Sequence, residues 1–395
     1  MNLDKIKSLQ VVTPQGASGF LSKEARFSFN YTNSEKHVEV SLSMPMRAES
    51  YSGGGLFSVF AMNKPEGYLL DSLKNRFGKV AKLDDMSLLK ITGKHQIGRL
   101  SYIDPNDMVE SKKSTVSLND LVKSTASEEL FNYLVDTYFD SGISGFQPKV
   151  LVADKSIISP VVDKATAVTP DLIVKSAGDD YPHLAENEFM CMSVAKEAGI
   201  SVPDFWLSED NGLFILKRFD IADSGNRLGM EDMCALTNTS ADDKYHGSYE
   251  GVGRIIASLC GSNSTESLHR YFEYVALSVL VKNGDAHLKN FSLIYEHPSA
   301  EVKLSPIYDV VTTSVYQSTN PRTGMNIIDR TMALGMNKSK NYPDNNALCK
   351  FGRSICGVSR PQEVIDRIEA AKITVIRDSK GRIDDGFLAD MIKVW

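Results

Sequence analysis

Cysteine chemistry is the first thing this sequence does without. Its five cysteines, Cys191, Cys234, Cys260, Cys349 and Cys356, are odd in number and scattered, and no two stand in a C-x-x-C pair. That spacing argues against zinc and dithiol redox frameworks and predicts a reducing compartment. No stretch approaches the roughly 18 apolar residues of a membrane span, and the opening MNLDKIKSLQ is charged and polar with no apolar run behind it. The expectation is a cytoplasmic chain, neither secreted nor embedded in a membrane. Basic charge is also short: 44 Lys and Arg stand against 50 Asp and Glu, a formal net charge of -6. Such a balance lacks the positive field that drives autonomous nucleic-acid binding, so any contact with DNA is expected to be local or through a partner. Internal repeats and low-complexity tracts are missing too, which excludes a solenoid.

What is there is an ordinary globular composition, 42% hydrophobic and 24% charged over 395 residues, enough for two or three packed units without external staples. In the N-terminal part VEVSLSM (Val38 to Met44) alternates like a strand, Ser52 to Gly55 reads as a turn, and Pro65 to Phe77 reads as a helix stopped by Gly78. Ser, Lys and Thr between Ser111 and Asp120 mark a linker. An apolar-periodic helix follows, carrying Leu130, Leu134, Val135 and Tyr138. Next come strands at Lys149 to Asp154 and Leu172 to Ser176, a helix from Leu184 to Ala198 closed by Gly199 and Pro203, and a strand from Leu213 to Phe219. Beyond it the pattern turns largely helical. The expected division is a mixed N-terminal subdomain over 1–110, a β-rich lobe over 111–219 and a helical lobe over 220–395.

The sharpest segment is Asn283-Gly-Asp-Ala-His-Leu-Lys-Asn-Phe-Ser292, behind a helix whose apolar face is Leu268, Phe272, Val275, Ala276 and Val279. The Asn-Gly pair is expected to end that helix and throw Asp285 into a loop. Asp285 and Asn290 stand in D-x-x-x-x-N spacing, by which a kinase catalytic loop offers a carboxylate to the attacking hydroxyl and an amide oxygen to magnesium. Two short strands, Phe291 to Tyr295 and Val302 to Leu304, then form a hairpin that delivers Asp309, a second hard oxygen donor for Mg²⁺ beside a nucleotide. Taken singly, each of these residues is also an ordinary turn or cap residue. The set of three with a hairpin between them points to phosphoryl transfer. His287 reads either as a structural hydrogen-bonding residue or as a participant in the chemistry, and Lys289 either as a phosphate contact or as a solvated loop lysine.

Upstream, Ile143-Ser-Gly-Phe-Gln-Pro-Lys149 is a candidate nucleotide cradle, placing Ser144, Gly145, Phe146, Gln147 and Lys149 near ATP, although it is neither G-x-G-x-x-G nor a P-loop. Lys175 ends the apolar strand Leu172-Ile-Val174, as the strand lysine of V-A-I-K does, where an ammonium bridges the α- and β-phosphates. Glu188, with Glu186 as the alternative, would pair with it. Such helix-start glutamates also serve the macrodipole. The run Leu216-Lys-Arg-Phe-Asp220 lies where an adenine-binding hinge belongs, with the backbone at Lys217 and the ring of Phe219 near the base.

Together these residues resemble the HipA family of bacterial serine/threonine kinase toxins. The resemblance runs through SLSMPMRAESYSGG, KPEGYLLDSL, IGRLSYI, ISGFQPK, LIVKS, ENEF, FILKRFD, NGDAHLKNFSL and LSPIYDV, with NGDAHLKN and PIYDV its specific part. It implies an α+β, bilobal protein-kinase-like fold with an extra N-terminal subdomain, Mg²⁺ and ATP as cofactors, and a protein substrate. It also implies a small HipB-like helix-turn-helix antitoxin as partner, through which alone operator DNA is reached. Some family members phosphorylate aminoacyl-tRNA synthetases. Carried over by residue, Asp285 is the catalytic base, Asn290 and Asp309 the metal ligands, Lys175 the phosphate-binding lysine and Ser144 the regulatory autophosphorylation site. A phosphate on Ser144 would add about -1.5 to -2 charge where ATP brings its own oxygens. Phe146 and Pro148 depart from the family's best-known member in that loop, and proline stiffens it. The competing readings are a lipid or small-molecule kinase and a non-catalytic co-repressor partner of the antitoxin.

Overall fold

Alternation of apolar and polar side chains builds the first sheet. In β1 (Ser8–Thr13), Leu9, Val11 and Thr13 point inward, and Phe27 and Phe29 of β3 (Phe27–Tyr31) do the same. The computed structural model describes residues 6–65, 70, 73–74, 83–93, 96–105, 117–142, 165–168, 172–176, 181–319, 326–328 and 330–395. With β2 (Gly16–Lys23), β4 (Tyr51–Gly53) and β5 (Ser101–Ile103) these strands form an antiparallel sheet in the order β4-β3-β2-β1-β5. Gly19 of β2 faces Tyr31 across the ladder, and a Cβ there would lie 2.0 Å from the Asn30 carbonyl oxygen. Gly19→Ala must therefore push two backbones apart, at a cost of about 1–3 kcal/mol. A thermal or urea midpoint unchanged by that substitution would show that the ladder yields without cost.

The chain divides into two compact units, 1–184 with 206–229 and 297–299, and 185–205 with 230–296 and 300–395. In the first, one hydrophobic core runs from Leu9, Val11, Leu21 and Phe29, through Met86 and Leu89 of a helix, α1 (Asp85–Thr92), to Phe131, Leu134 and Val135 of α2 (Ser127–Gly142). It continues into a second sheet. There β6 (Ala165–Val168), β7 (Leu172–Ser176), β8 (Phe205–Leu207) and β9 (Leu213–Lys217) stand in the order β6-β7-β9-β8, and Leu172, Val174, Leu213 and Ile215 join the same core. The stretch around 110 lies outside the described residues, and core residues flank it on both sides.

Past β9 the chain is locked to the first sheet by buried charge. Arg218 holds Asp220 through Nε at 2.9 Å and Nη2 at 2.6 Å, and Asp220 Oδ2 also accepts the Gly98 N–H at 2.7 Å. Arg218 and Arg227 both donate to the Gln96 carbonyl, at 2.8 and 2.6 Å. Burial, ahead of the nearby Arg218 charge, lowers the Arg227 pKa to about 10.

Two sequence expectations change, at Val38 to Met44 and at Ser52 to Gly55, where Ser52 and Gly53 belong to β4 rather than to a turn. Val38 to Met44 is not a strand: a 3-10 turn occupies Lys36–Val38 and the chain then runs without a ladder. Val38, Glu39, Val40 and Ser41 are all buried, so no face is left for solvent, and the Glu39 carboxylate accepts the Met46 N–H at 2.8 Å. Most of the Pro65 to Phe77 segment and the whole of Lys149 to Asp154 lie outside the described residues.

The second unit is largely helical. Its centre is α5 (Ser264–Leu280), following α3 (Leu184–Glu197) and α4 (Tyr249–Leu259), with α6 (Asn345–Ser354), α7 (Pro361–Asp378) and α8 (Asp385–Val394) after it. A small sheet, β10 (Gly229–Asp232), β11 (Ser292–Tyr295) and β12 (Lys303–Leu304), completes the frame. Phe291 is wrapped by Tyr271, Tyr274 and Tyr249, with ring centroids 5.3, 4.8 and 6.1 Å away, and this aromatic packing anchors the loop between α5 and β11. Among the described residues, no helix is long and apolar enough to cross a membrane.

Candidate active site

The exit of α5 sets the site. Val281 caps the helix, the Lys282 N–H bonds to the Val279 carbonyl and the Asn283 N–H to that of Ser278, at 3.3 and 2.8 Å. That is a Schellman closure, and its left-handed position is Lys282, at φ 56°, rather than the Asn-Gly pair expected from sequence. A non-glycine residue there costs about 1–2 kcal/mol. The Lys282 carbonyl accepts the Thr313 N–H at 3.1 Å, and Thr313 Oγ1 accepts the Gly284 N–H at 2.8 Å. The helix exit and the segment after Asp309 thus hold each other.

Asp285 follows at once. Its backbone N–H donates to Asn283 Oδ1 at 3.0 Å, and its Oδ1 accepts the Tyr245 hydroxyl at 2.7 Å. His287 is buried, with its N–H shared between the Asp285 carbonyl at 2.8 Å and Asn290 Oδ1 at 3.0 Å. Its Nε2 stands 3.9 Å from Asp285 Oδ1, beyond hydrogen-bond distance, and its ring meets the edge of Tyr245 at 5.2 Å. The backbone N–H of His287 thus ties the loop to Asn290, and its ring packs against Tyr245. Asn290, also buried, donates from Nδ2 to Asp309 Oδ2 at 2.8 Å. The Lys289 carbonyl accepts the Tyr308 hydroxyl at 2.9 Å.

Asp309 is itself left-handed, at φ 59°. Tyrosines on both sides fix it: the Tyr274 hydroxyl donates to the Tyr308 carbonyl at 2.5 Å, and the Tyr308 hydroxyl pairs with Ser292 Oγ at 2.6 Å. Burial above all drives both phenols well up from their ordinary value, so they serve as neutral hydrogen-bond partners. Downstream, Asn187 of α3 grips Thr312 by its N–H at 2.7 Å and its carbonyl at 3.0 Å, while Thr312 Oγ1 donates to the Val281 carbonyl and accepts the Trp395 indole N–H, each at 2.8 Å.

The structure therefore brings Asp285, His287, Asn290 and Asp309 together within the second unit. Ser144, Gly145, Phe146, Gln147 and Lys149 lie outside the described residues. Lys175 is partly buried on β7, 5.8 Å over the Phe214 ring. Lys217 pairs with Leu172 while Lys175 pairs with Phe214, an odd offset that sends the two lysine side chains to opposite faces of the sheet. Lys217 is exposed and Phe219 partly buried. Glu188 is buried on α3, and Glu186 is engaged as acceptor of the Asp384 N–H at 3.0 Å. Sequence reasoning missed Tyr245, Asn187, Thr312 and Trp395. Asn187 stood inside the ENEF run, between the two glutamates that drew attention. Nothing local marks Tyr245, 40 residues before its partner.

The donor set suits Mg²⁺. An amide and a carboxylate meet within one hydrogen bond, both offering hard oxygens, and the Asn290 carbonyl has a lone pair beyond the one that His287 uses. No group of three or more His, Cys, Asp or Glu that could hold a metal occurs among the described residues. An ion held by Asn290 and Asp309 would have two hard oxygen ligands from these residues, a set that suits Mg²⁺ with water and nucleotide oxygens rather than zinc.

Comparison with known proteins places the chain in a family. The chain is 32% identical over 191 residues to a Haemophilus influenzae protein provisionally named a kinase, spanning 44% of this chain and about half, 53%, of that protein's length. It is 24% identical over 344 residues to a Sinorhizobium fredii protein provisionally named kinase Y4mE, covering 81% of this chain and 78% of that one. Against the serine/threonine-protein kinase toxin HipA of Shewanella oneidensis it is 22% identical over 339 residues, 80% of this chain and 76% of that one. A solved structure of the Shewanella oneidensis MR-1 toxin-antitoxin complex of HipA, HipB and operator DNA matches with a TM-score of 0.70 at 19% identity, covering 98% of this chain and 94% of that chain, a likeness of fold. The family model described as the HipA N-terminal domain matches residues 9–103, and that of the HipA-like C-terminal domain matches 141–376, more than half the chain. The chain thus belongs to the HipA family and has its α+β, kinase-like fold.

Proposed function

We propose that this chain is a serine/threonine protein kinase that transfers the γ-phosphate of ATP to a protein hydroxyl, as the toxin half of a toxin-antitoxin pair. The observation that carries the reading is the 2.8 Å contact of the Asn290 amide with the Asp309 carboxylate, on the loop that also presents Asp285. In this reading Asp285 accepts the proton of the substrate hydroxyl as that oxygen attacks the γ-phosphorus. Asn290 and Asp309 would hold Mg²⁺, which supplies charge neutralisation at the β- and γ-phosphates. The remaining catalysis is positioning: the Schellman exit, the Tyr308 and Tyr274 hydroxyls and the Asn187–Thr312 clasp hold the acids in place before substrate arrives. Lys175, with Glu188 as its partner, the backbone at Lys217, and Phe219 are the proposed nucleotide contacts, joined by the 144–149 loop.

The test is incubation of the purified chain with radiolabelled ATP and a nucleotide-free bacterial lysate, with and without Mg²⁺. Mg²⁺-dependent label on serine or threonine is expected. Label confined to lipid or to small molecules would favour the lipid or small-molecule kinase instead, and no Mg²⁺-dependent ATP binding by calorimetry would favour the co-repressor reading. Mapping the products also addresses the finer proposals, a phosphate on Ser144 and an aminoacyl-tRNA synthetase as substrate. A HipB-like helix-turn-helix antitoxin is the proposed partner, supported by the likeness to the HipA chain of the Shewanella complex.

A further inference from the structure

A phenol sits on the candidate base. Tyr245 is 40% exposed, yet its hydroxyl donates to Asp285 Oδ1 at 2.7 Å, and its ring meets His287 edge-on at 5.2 Å with the planes 78° apart. The segment carrying it is fastened on both sides: the Lys244 carbonyl accepts the Leu288 N–H at 3.1 Å, the Tyr245 carbonyl accepts Lys340 Nζ at 3.1 Å, and the Gly247 carbonyl accepts the Gly335 N–H at 3.1 Å. Gly247 turns at φ 145°, against Leu288 of the same catalytic loop, and Ser248 then caps α4 by accepting the Gly251 N–H at 3.1 Å. The hydroxyl thus reaches the carboxylate from a segment fixed to the loop it serves.

We infer that Tyr245 is a positioning residue for phosphoryl transfer, holding the Asp285 carboxylate in the orientation from which it accepts the substrate proton. This rests on the kinase reading above. A base works at full rate only when a third group orients it, and a carboxylate has about four lone-pair sites, so it can accept the phenol and a substrate hydroxyl together. Asn283 Oδ1 braces the same residue by its backbone, and Tyr245 by its side chain. No proton leaves the phenol in the step: the substrate oxygen bonds to the γ-phosphorus, the bond from that phosphorus to the bridging oxygen breaks, and ADP departs.

The experiment compares wild type, Tyr245→Phe, and the chain with p-aminophenylalanine at position 245, which keeps the ring and restores an N–H donor. Initial rates of radiolabel transfer from Mg-ATP into nucleotide-free lysate protein are read across ATP concentrations. Tyr245→Phe is expected to lower kcat about tenfold, the loss of one hydrogen bond to a charged group, with the KM for ATP within about twofold of wild type. The amino variant should recover to within about threefold of wild type, since ring packing is the same in all three. An unaltered kcat in Tyr245→Phe, or a loss that the amino group does not restore, overturns the inference while the kinase reading stands. A wild type that transfers no phosphate overturns the kinase reading first, and this inference with it.

Discussion

Asp309→Asn is expected to abolish transfer from Mg-ATP, by about 10³-fold or more, in a protein that remains folded. Asparagine is nearly isosteric, can accept the Asn290 amide as Asp309 does at 2.8 Å, and is among the few residues that tolerate a φ near the 59° found here. What it removes is charge, and with it the anionic ligand that a dehydration-shy ion such as Mg²⁺ demands. Calorimetry should show ATP affinity losing its Mg²⁺ dependence. Asp285→Asn separates the roles: it should leave Mg-ATP binding near wild type and lower transfer about 10²- to 10⁴-fold, the range of a general base. Full transfer activity in either variant would remove the assignment, and weakened nucleotide binding in Asp285→Asn alone would exchange the roles of the two acids.

The largest stability effect is expected in the first unit, at Asp220. Its side chain and that of Arg218 are 2% and 4% exposed, and the pair also carries the Gly98 N–H and the Gln96 carbonyl. Asp220→Ala strands a buried guanidinium and an amide donor at once, for a loss of about 3–5 kcal/mol. Replacing both, as Arg218→Met with Asp220→Leu, should recover much of it, because a buried ion pair repays little beyond its own desolvation. Urea denaturation followed by circular dichroism measures both. A single variant within about 1 kcal/mol of wild type would mean that water reaches the pair and that the lock between β9 and the first sheet is not buried in solution.

How far each element could be read in advance depended on how local its cause is. The strand Leu172–Ser176, the helix Leu184–Glu197, the helix Ser264–Leu280 and the hairpin of β11 and β12 form where periodicity and turn residues place them, because neighbours along the chain suffice to specify them. Val38 to Met44 broke the rule. Alternation there suggested a ladder, but burial on every side and a carboxylate satisfied by the Met46 N–H left no strand to pair. The helix stop at residues 281–283 was placed correctly on the wrong residue: glycine is free to be left-handed, yet Lys282 takes that position because Thr313 holds its carbonyl.

By itself the sequence determined which acids and amide the proposed site draws on and the order in which they stand, since D-x-x-x-x-N, a hairpin and a second aspartate are written within 25 residues, 285–309. Tertiary structure alone decided what grips them. Tyr245 reaches Asp285 from 40 residues away, Asn187 reaches Thr312 across 125, and Trp395 reaches the same threonine across 83. Such partners leave no periodic trace, because a hydrogen bond between distant segments depends on packed backbone geometry, whereas periodicity records only which face of one element is apolar.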